Sequence, residues 1–185
     1  RQTVESYGTI DILINNAGVS TMNTIEAMTE KEWDFNFDVN IKGMFFATQA
    51  VIPYMKKIGG GKIVNTASMA GKHGVPLLAH YAASKWAVIG FTKSAAIELG
   101  AANITVNCVC PGYVKTSMQE RELEWEASLR GMTPEEVKNE YIRNTPLGRL
   151  CLADDVAKAV GFLASPEADF VSGEALDVTG GAGLA

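Results

Sequence analysis

Short, mostly apolar runs alternate along this chain with longer stretches of helical periodicity. Ile10 to Ile14 is the first such run, and its lack of polar alternation predicts a parallel strand buried on both faces. Ile63 to Ala67 and Ile104 to Val109 repeat the pattern, and Ala175 to Val178 is a last strand before Gly180-Gly181. Between them lie helical segments. Residues 1 to 8 read as the closing turns of a helix that stops at Gly8. Thr29-Glu30-Lys31-Glu32 is a capping box, with Thr29 as N-cap and Glu32 at the third helical position. The helix it opens runs to Lys57, with a bend expected near Asn40 and Gly43, both weak helix formers, and Pro53 as a further irregularity. Ala79 to Gly100 is rich in Ala, Lys, Ile, Leu and Glu and predicts a helix. Met118 to Arg130, Pro134 to Asn144 and Asp154 to Ala164 complete the set, the second with Thr133 as cap, Pro134 at the first position and Glu136 at the third.

Strands alternating with helices define an α/β fold: a doubly wound parallel sheet with helices on both faces. No repeat, low-complexity tract or linker divides the 185 residues, so one domain is expected. In such sheets ligands bind beyond the carboxyl ends of the strands. Asn15, Ser68 and Pro111 all stand at such ends, so the topology draws them to one edge.

Composition changes this picture little. Hydrophobic residues make up 47% and charged residues 20%, ordinary for a globular protein. The net charge of −5 points away from nucleic acid and anionic membranes as partners. No apolar run is long enough to span a bilayer. Cys108 and Cys110 share one face of a strand without metal-ligand company, which suits buried free thiols in a reducing, cytoplasmic setting.

The chemistry centres on His80-Tyr81-Ala82-Ala83-Ser84-Lys85. Tyr81 and Lys85 are four apart, which stacks phenol and ammonium on one helical face. A free tyrosine titrates near pKa ~10, and a close cation favours the phenolate, so Lys85 is expected to lower the Tyr81 pKa. Ser68 lies thirteen residues upstream at the end of a strand, Asn15-Asn16-Ala17-Gly18 ends another, Asn40 sits in the bent helix, and Pro111-Gly112 ends a third strand. Other uses of these residues fail. G-x-S-x-G around Ser68 would need glycines where Thr66 and Ala70 stand, and S-x-x-K before Lys85 meets Ala82.

In this order the motifs resemble the short-chain dehydrogenase/reductase family, from near residue 1 to the C-terminus. The resemblance implies a Rossmann-like fold and an NAD(P)-dependent oxidoreductase interconverting a secondary alcohol and a ketone. It implies Tyr81 as general acid or base, Lys85 as the cation beside it and a holder of the nicotinamide ribose, Ser68 as the group orienting the substrate oxygen, and Asn40 as keeper of a water in a proton relay. Asn16, Ala17 and Gly18 match the segment beside the adenosine ribose. Pro111, Gly112, Val114 and Thr116 match the segment holding the nicotinamide amide. The family's T-G-x-x-x-G-x-G turn, which cradles the pyrophosphate, has no counterpart here. The expectation is therefore the C-terminal portion of a single domain, with the N-terminal part missing and residues 117–147 as a substrate lid. The lid's Trp125 and Leu129 are expected to pack it down, and His73 and His80 to be solvated loop groups.

Pro146-Leu147-Gly148-Arg149 and Asp154-Asp155-Val156-Ala157 look most like polyol, diol and sugar-alcohol dehydrogenases of the family, with NAD favoured over NADP. A 3-oxoacyl carrier-protein reductase is the alternative, and a non-catalytic nucleotide-binding scaffold is the alternative of another class. The resemblance and the apolar stretches Gly43 to Tyr54 and Trp86 to Phe91 together imply a homotetramer acting on a small-molecule alcohol or ketone.

Overall fold

The apolar runs become the strands of one parallel sheet, described by a computed structural model over residues 2–183. The strands β1 (Ile12–Asn15), β2 (Gly61–Thr66), β3 (Ile104–Pro111) and β4 (Ala175–Val178) lie side by side in that order. Asn15 pairs with Asn65, Asn65 with Cys108, and Cys108 with Ala175, so all four strands end toward one edge, with β3 and β4 running on past β1 and β2 to Pro111 and Val178. The helices are α1 (Gln2–Tyr7), α2 (Glu30–Phe37), α3 (Gly43–Ile58), α4 (Ala79–Leu99), α5 (Ser117–Arg130), α6 (Pro134–Arg143) and α7 (Ala153–Ala164).

Alternation of side chains across the strands divides the core. Ile63 and Val106 face α3 and α4 and pack with Val51, Met55, Ala95 and Leu99. Val64 and Val109 face the other way onto Leu163, Val156 and Val160 of α7. Both faces of β2 and β3 are thus covered, as a parallel sheet requires. β1 departs from its expected burial. It pairs only with β2, and Ile12 and Ile14 stand 47% and 40% exposed, because nothing among the described residues covers that face.

The long helix opened by Thr29 keeps its capping box and runs on to Ile58, but through a turn of π-helix at Asp38–Lys42. That wider turn sits at the expected bend and carries Asn40, which is buried. Such bulges insert one residue into the helical ladder and re-aim a side chain. Gly59 ends α3 in the left-handed conformation at φ 84°, donating to Lys56 O and Met55 O.

Residues 117–147 fold as a hairpin of α5 and α6 around a small core of their own: Leu123, Ala127, Val137, Tyr141 and Leu150. Tyr113 stacks on Tyr141 with centroids 4.0 Å apart. Trp125 and Leu129 do not pack it down. They are 37% and 48% exposed, since Leu123 and Ala127 occupy the inward stripe of α5. All three cysteines are free and buried, Cys108 and Cys110 together on the α4 side of the sheet. No helix of the described residues is long and apolar enough to cross a membrane.

Candidate active site

A ladder of buried amides supports the carboxyl edge of the sheet. Asn15 Nδ2 donates to Asn65 Oδ1 at 2.8 Å and to Thr48 Oγ1 at 3.2 Å. Asn65 Nδ2 donates onward to Thr92 Oγ1 at 2.9 Å, and Thr92 Oγ1 to Val88 O. The ladder ties β1, β2, α3 and α4 together, and a buried polar network that is satisfied in this way specifies one arrangement.

Asn40 stands above it. Its Nδ2 donates to Val19 O and to Ser84 Oγ, both at 3.0 Å, and its Oδ1 accepts from Val19 N at 2.8 Å. Ser84 Oγ in turn donates to Tyr81 O. One amide therefore fixes both the loop after β1 and the first turn of α4. Gly18 lies in the same place. A Cβ there would come within 3.4 Å of Lys85 Nζ and 3.5 Å of Asn40 Oδ1, in van der Waals contact with both, so the loop backbone approaches both groups closely.

Lys85 is buried, and its Nζ donates to Thr66 O at 2.9 Å, 5.6 Å from the centroid of the Tyr81 ring. Burial pulls its pKa down to about 8. Ser68 Oγ accepts from Ala70 N at 3.1 Å. The Ser68 hydroxyl lies near enough to the Tyr81 phenol to act on its pKa. Tyr81 behaves opposite to the sequence expectation. Its phenol is pushed up to about 12, first by burial, with a smaller push from the Glu122 carboxylate, while Ser68 pulls the other way. Burial decides the direction, although the ammonium of Lys85 lies over the ring while donating to Thr66 O. Desolvation outweighs the cation.

The remaining positions line the same edge. Asn16 and Ala17 are exposed, with Asn16 Oδ1 accepting from Thr66 Oγ1 at 3.2 Å. Pro111 closes β3 opposite Val178, and Gly112 N donates to Val178 O at 3.1 Å. Gly112 packs so tightly that a Cβ would meet Thr179 Cα at 3.0 Å. Val114 bridges to Cys151. The Thr116 hydroxyl is already engaged as N-cap of α5, accepting from Gln119 N.

Sequence reasoning missed the loop partners. Val19, Ser20 and Thr21 are each held by a different element. Val19 is clamped by Asn40, and Ser20 Oγ donates to Glu122 Oε1 of α5. Thr21 Oγ1 meets His80 Nε2 and accepts from Asn36 Nδ2 at 3.0 Å. His80 is fully buried at the start of α4, not a solvated loop group, and burial lowers its pKa. Small hydroxyl residues just after a strand end carried the only sequence signal for these contacts.

The sequence model of a family described as enoyl-(acyl carrier protein) reductase matches residues 1–183. The 3-oxoacyl-(acyl-carrier-protein) reductase FabG of Thermotoga maritima is 41% identical over 180 residues, covering 97% of this chain and 69% of that protein. The reductase of the same name from Staphylococcus aureus is 38% identical over 181 residues, covering 98% and 69%. Among solved structures, actinorhodin polyketide ketoreductase with NADPH superposes with a TM-score of 0.95 at 38% identity, covering all of this chain and 71% of that one. Ligand-free aldohexose dehydrogenase of Thermoplasma acidophilum gives 0.91 at 35%, covering all of this chain and 72% of that one.

Proposed function

Because the chain belongs to the short-chain dehydrogenase/reductase family, we propose that it reduces 3-oxoacyl thioesters to 3-hydroxyacyl thioesters with NADPH. The family makes it an oxidoreductase acting between CH–OH and keto groups. The finer reading draws on the 3-oxoacyl reductases among its relatives and on the NADPH carried by a ketoreductase of the same shape. These favour the carrier-protein substrate over the polyol first expected, and NADPH over NAD.

The observation that carries the reduction is the protonated phenol. At neutral pH a Tyr81 with pKa near 12 keeps its proton, which suits a general acid for a carbonyl oxygen. A bound nicotinamide supplies the hydride to the carbonyl carbon. Tyr81 gives its proton to the oxygen as charge builds there, and the Ser68 hydroxyl donates to that same oxygen and orients it. Lys85, still mostly charged at pH 7, stabilises the phenolate that Tyr81 becomes. Asn40 positions this group by holding Val19 and Ser84, and it lies beside the route by which Tyr81 regains a proton.

The residues present fit the cofactor at the nicotinamide end. Lys85 has a buried ammonium with one acceptor among the described residues, Thr66 O, leaving N–H groups for ribose hydroxyls. Gly18 presents no side chain beside it, and Asn16 and Ala17 are exposed at the rim. Gly112, Val114 and Thr116 would present backbone to the nicotinamide amide. Assembly belongs to the same reading. Phe45 and Phe46 of α3 and Trp86 of α4 stand 39%, 53% and 52% exposed on neighbouring helices, and a homotetramer, or a dimer as its half, would cover them.

The test is steady-state kinetics of the full-length protein with acetoacetyl thioester and NADPH or NADH, beside oxidation of a polyol panel. Reduction with NADPH at the higher kcat/KM is the expected result. Turnover confined to polyols with NAD would overturn it.

A further inference from the structure

Glu122 is the one carboxylate that the lid brings against the site. It lies on α5, and its Oε1 accepts from the hydroxyl of Ser20, a buried residue 102 positions away in sequence. Ser20 follows Val19, whose backbone is clamped on both sides by Asn40, and Gly18 before it touches the space of both Asn40 and Lys85. The Ser20–Glu122 bond therefore joins the lid to the loop that borders the reacting groups. The carboxyl group is close enough to Tyr81 for its charge to raise the phenol's pKa. Its ionisable neighbours are Tyr81, Glu126 and Arg121, and the guanidinium of exposed Arg121 acts on it more weakly than burial does. No arginine or lysine makes an ion pair with it among the described residues.

A half-buried carboxylate held by a neutral hydroxyl, with Arg121 acting on it only weakly, keeps much of its negative field. At an effective dielectric of ~20, like charges a few ångströms apart repel strongly enough to change binding by tens-fold or more. We infer that Glu122 is a specificity-determining residue: held at the rim on Ser20, its carboxylate excludes substrates with an anionic group beside the reacting carbonyl and admits the neutral thioester or ester of the same acid. The inference rests on the 3-oxoacyl reading and sharpens it. A 3-oxoacyl thioester is neutral next to its ketone, whereas the free 3-oxo acid released by its hydrolysis is an anion. The lid thus separates the activated acyl group from its hydrolysis product, a discrimination by repulsion rather than by an added contact.

The experiment compares kcat/KM for ethyl acetoacetate and for acetoacetate in the full-length protein and in Glu122→Gln. Glutamine keeps an oxygen to accept from Ser20 and removes only the charge. The ratio of the two substrates in one preparation cancels any inactive fraction. We expect the unaltered protein to prefer the ester at least tenfold, and Glu122→Gln to narrow the preference at least tenfold by raising the rate with acetoacetate. Equal use of ester and acid by the unaltered protein, which needs no variant, overturns the inference. So does an ester preference that survives Glu122→Gln. Failure to reduce either the ester or the acetoacetyl thioester is a different result, and it removes the 3-oxoacyl premise together with this consequence.

Discussion

The floor of the site and its lid are built on different terms. The floor consists of side chains nearly sealed from solvent, Asn40 and Lys85 at 3% exposure each, and every one is tied to at least one other element. The lid is a two-helix hairpin with its own five-residue core and an outer face that carries Trp125 and Leu129 in water. It meets the rest of the molecule through contacts such as the stacking of Tyr113 on Tyr141, the bond from Leu147 N to Gly180 O, and the bond from Ser20 to Glu122. Reacting groups need fixed positions, since small displacements are costly in rate. A piece that admits substrate has to move or vary, and such pieces come from the less stable end of a fold. The difference teaches where to look for each property: chemistry in the buried amides and the α4 face, selectivity in the lid.

The largest effect should come from the floor. Tyr81→Phe removes the proton donor and leaves the ring, so kcat for ketone reduction should fall by roughly 10²–10⁴-fold while NADPH binding, read by fluorescence titration, changes little. A residual rate above about a tenth of the unaltered protein would place the acid elsewhere.

A lid substitution should behave otherwise. Leu123 is buried in the lid's own core, and truncation to alanine there should cost about 2–5 kcal/mol, as cavities in packed cores do. If the lid is a unit by itself, hydrogen exchange in Leu123→Ala should accelerate over residues 117–143 and stay unchanged in α4. Acceleration spread evenly over the sheet would show that floor and lid unfold together.

The sequence was most legible where one element decides the outcome. Continuous apolar runs, helix-favouring stretches and the two threonine caps place strands and helices within a residue or two, because each is a local matter of backbone bonding. That Asn15, Ser68 and Pro111 gather at one edge was legible because strand ends in a parallel sheet converge, whereas Asn40, Tyr81 and Lys85 on their helices were singled out through the family resemblance. What failed depends on surroundings that no spacing reports. Lys85 and Tyr81 do share a helical face, but whether the phenol's pKa rises or falls is set by how much water the fold removes, and here burial wins. His80 looked like a loop residue until the loop after β1 folded over it. Ser20 and Glu122 are too far apart in sequence for any pattern to join them. Trp125 and Leu129 had the spacing of an inward stripe, but Leu123 and Ala127 share that spacing on the adjacent stripe and took the interior.

Titration gives a smaller effect and sharpens the floor's half of the comparison. With Lys85 brought down to about 8 and Tyr81 up to about 12, the lysine loses its charge long before the phenol loses its proton. Reduction with NADPH should hold up to about pH 8 and then decline as the cation that receives the phenolate disappears. The stability of the fold should move the other way. Lys85 binds its proton less readily folded than unfolded, so between about 8 and its ordinary 10.5 the unfolded chain holds more protons and stability rises with pH. A fall in kcat/KM over a range where the melting temperature does not fall would separate titration of the site from denaturation. Lys85→Arg keeps its charge through this range, so its profile should lose the limb near 8, at a lower absolute rate because the guanidinium has a different reach. A limb that stays near 8 in Lys85→Arg would assign it to another group.

The smallest effect is the most direct comparison, because floor and lid carry the same device. Thr29 and Thr133 cap their helices with matching geometry. Each Thr N donates to the third-position glutamate, Glu32 or Glu136, at 2.8 Å, and each Thr Oγ1 accepts from that residue's N at 3.2 Å. Both glutamates are held below their ordinary pKa, first by the backbone bond, so the caps act above the usual carboxylate range and weaken as acid protonates them. Replacing either threonine by alanine should remove a similar local term, about 1 kcal/mol. The consequences should differ. Thr29 opens the helix that runs through the π turn to Asn40 and on into α3 against the sheet, so Thr29→Ala should lower the global melting temperature by roughly 2–4 °C, as such a term does in a chain of this size. Thr133 opens α6 of the lid, so Thr133→Ala should leave the global midpoint almost in place and appear as faster exchange at the start of α6. Equal shifts in the midpoint for the two alanines would mean that the lid shares the sheet's cooperativity. Its freedom to discriminate substrates would then have to come from side-chain chemistry at Glu122 alone, and not from motion.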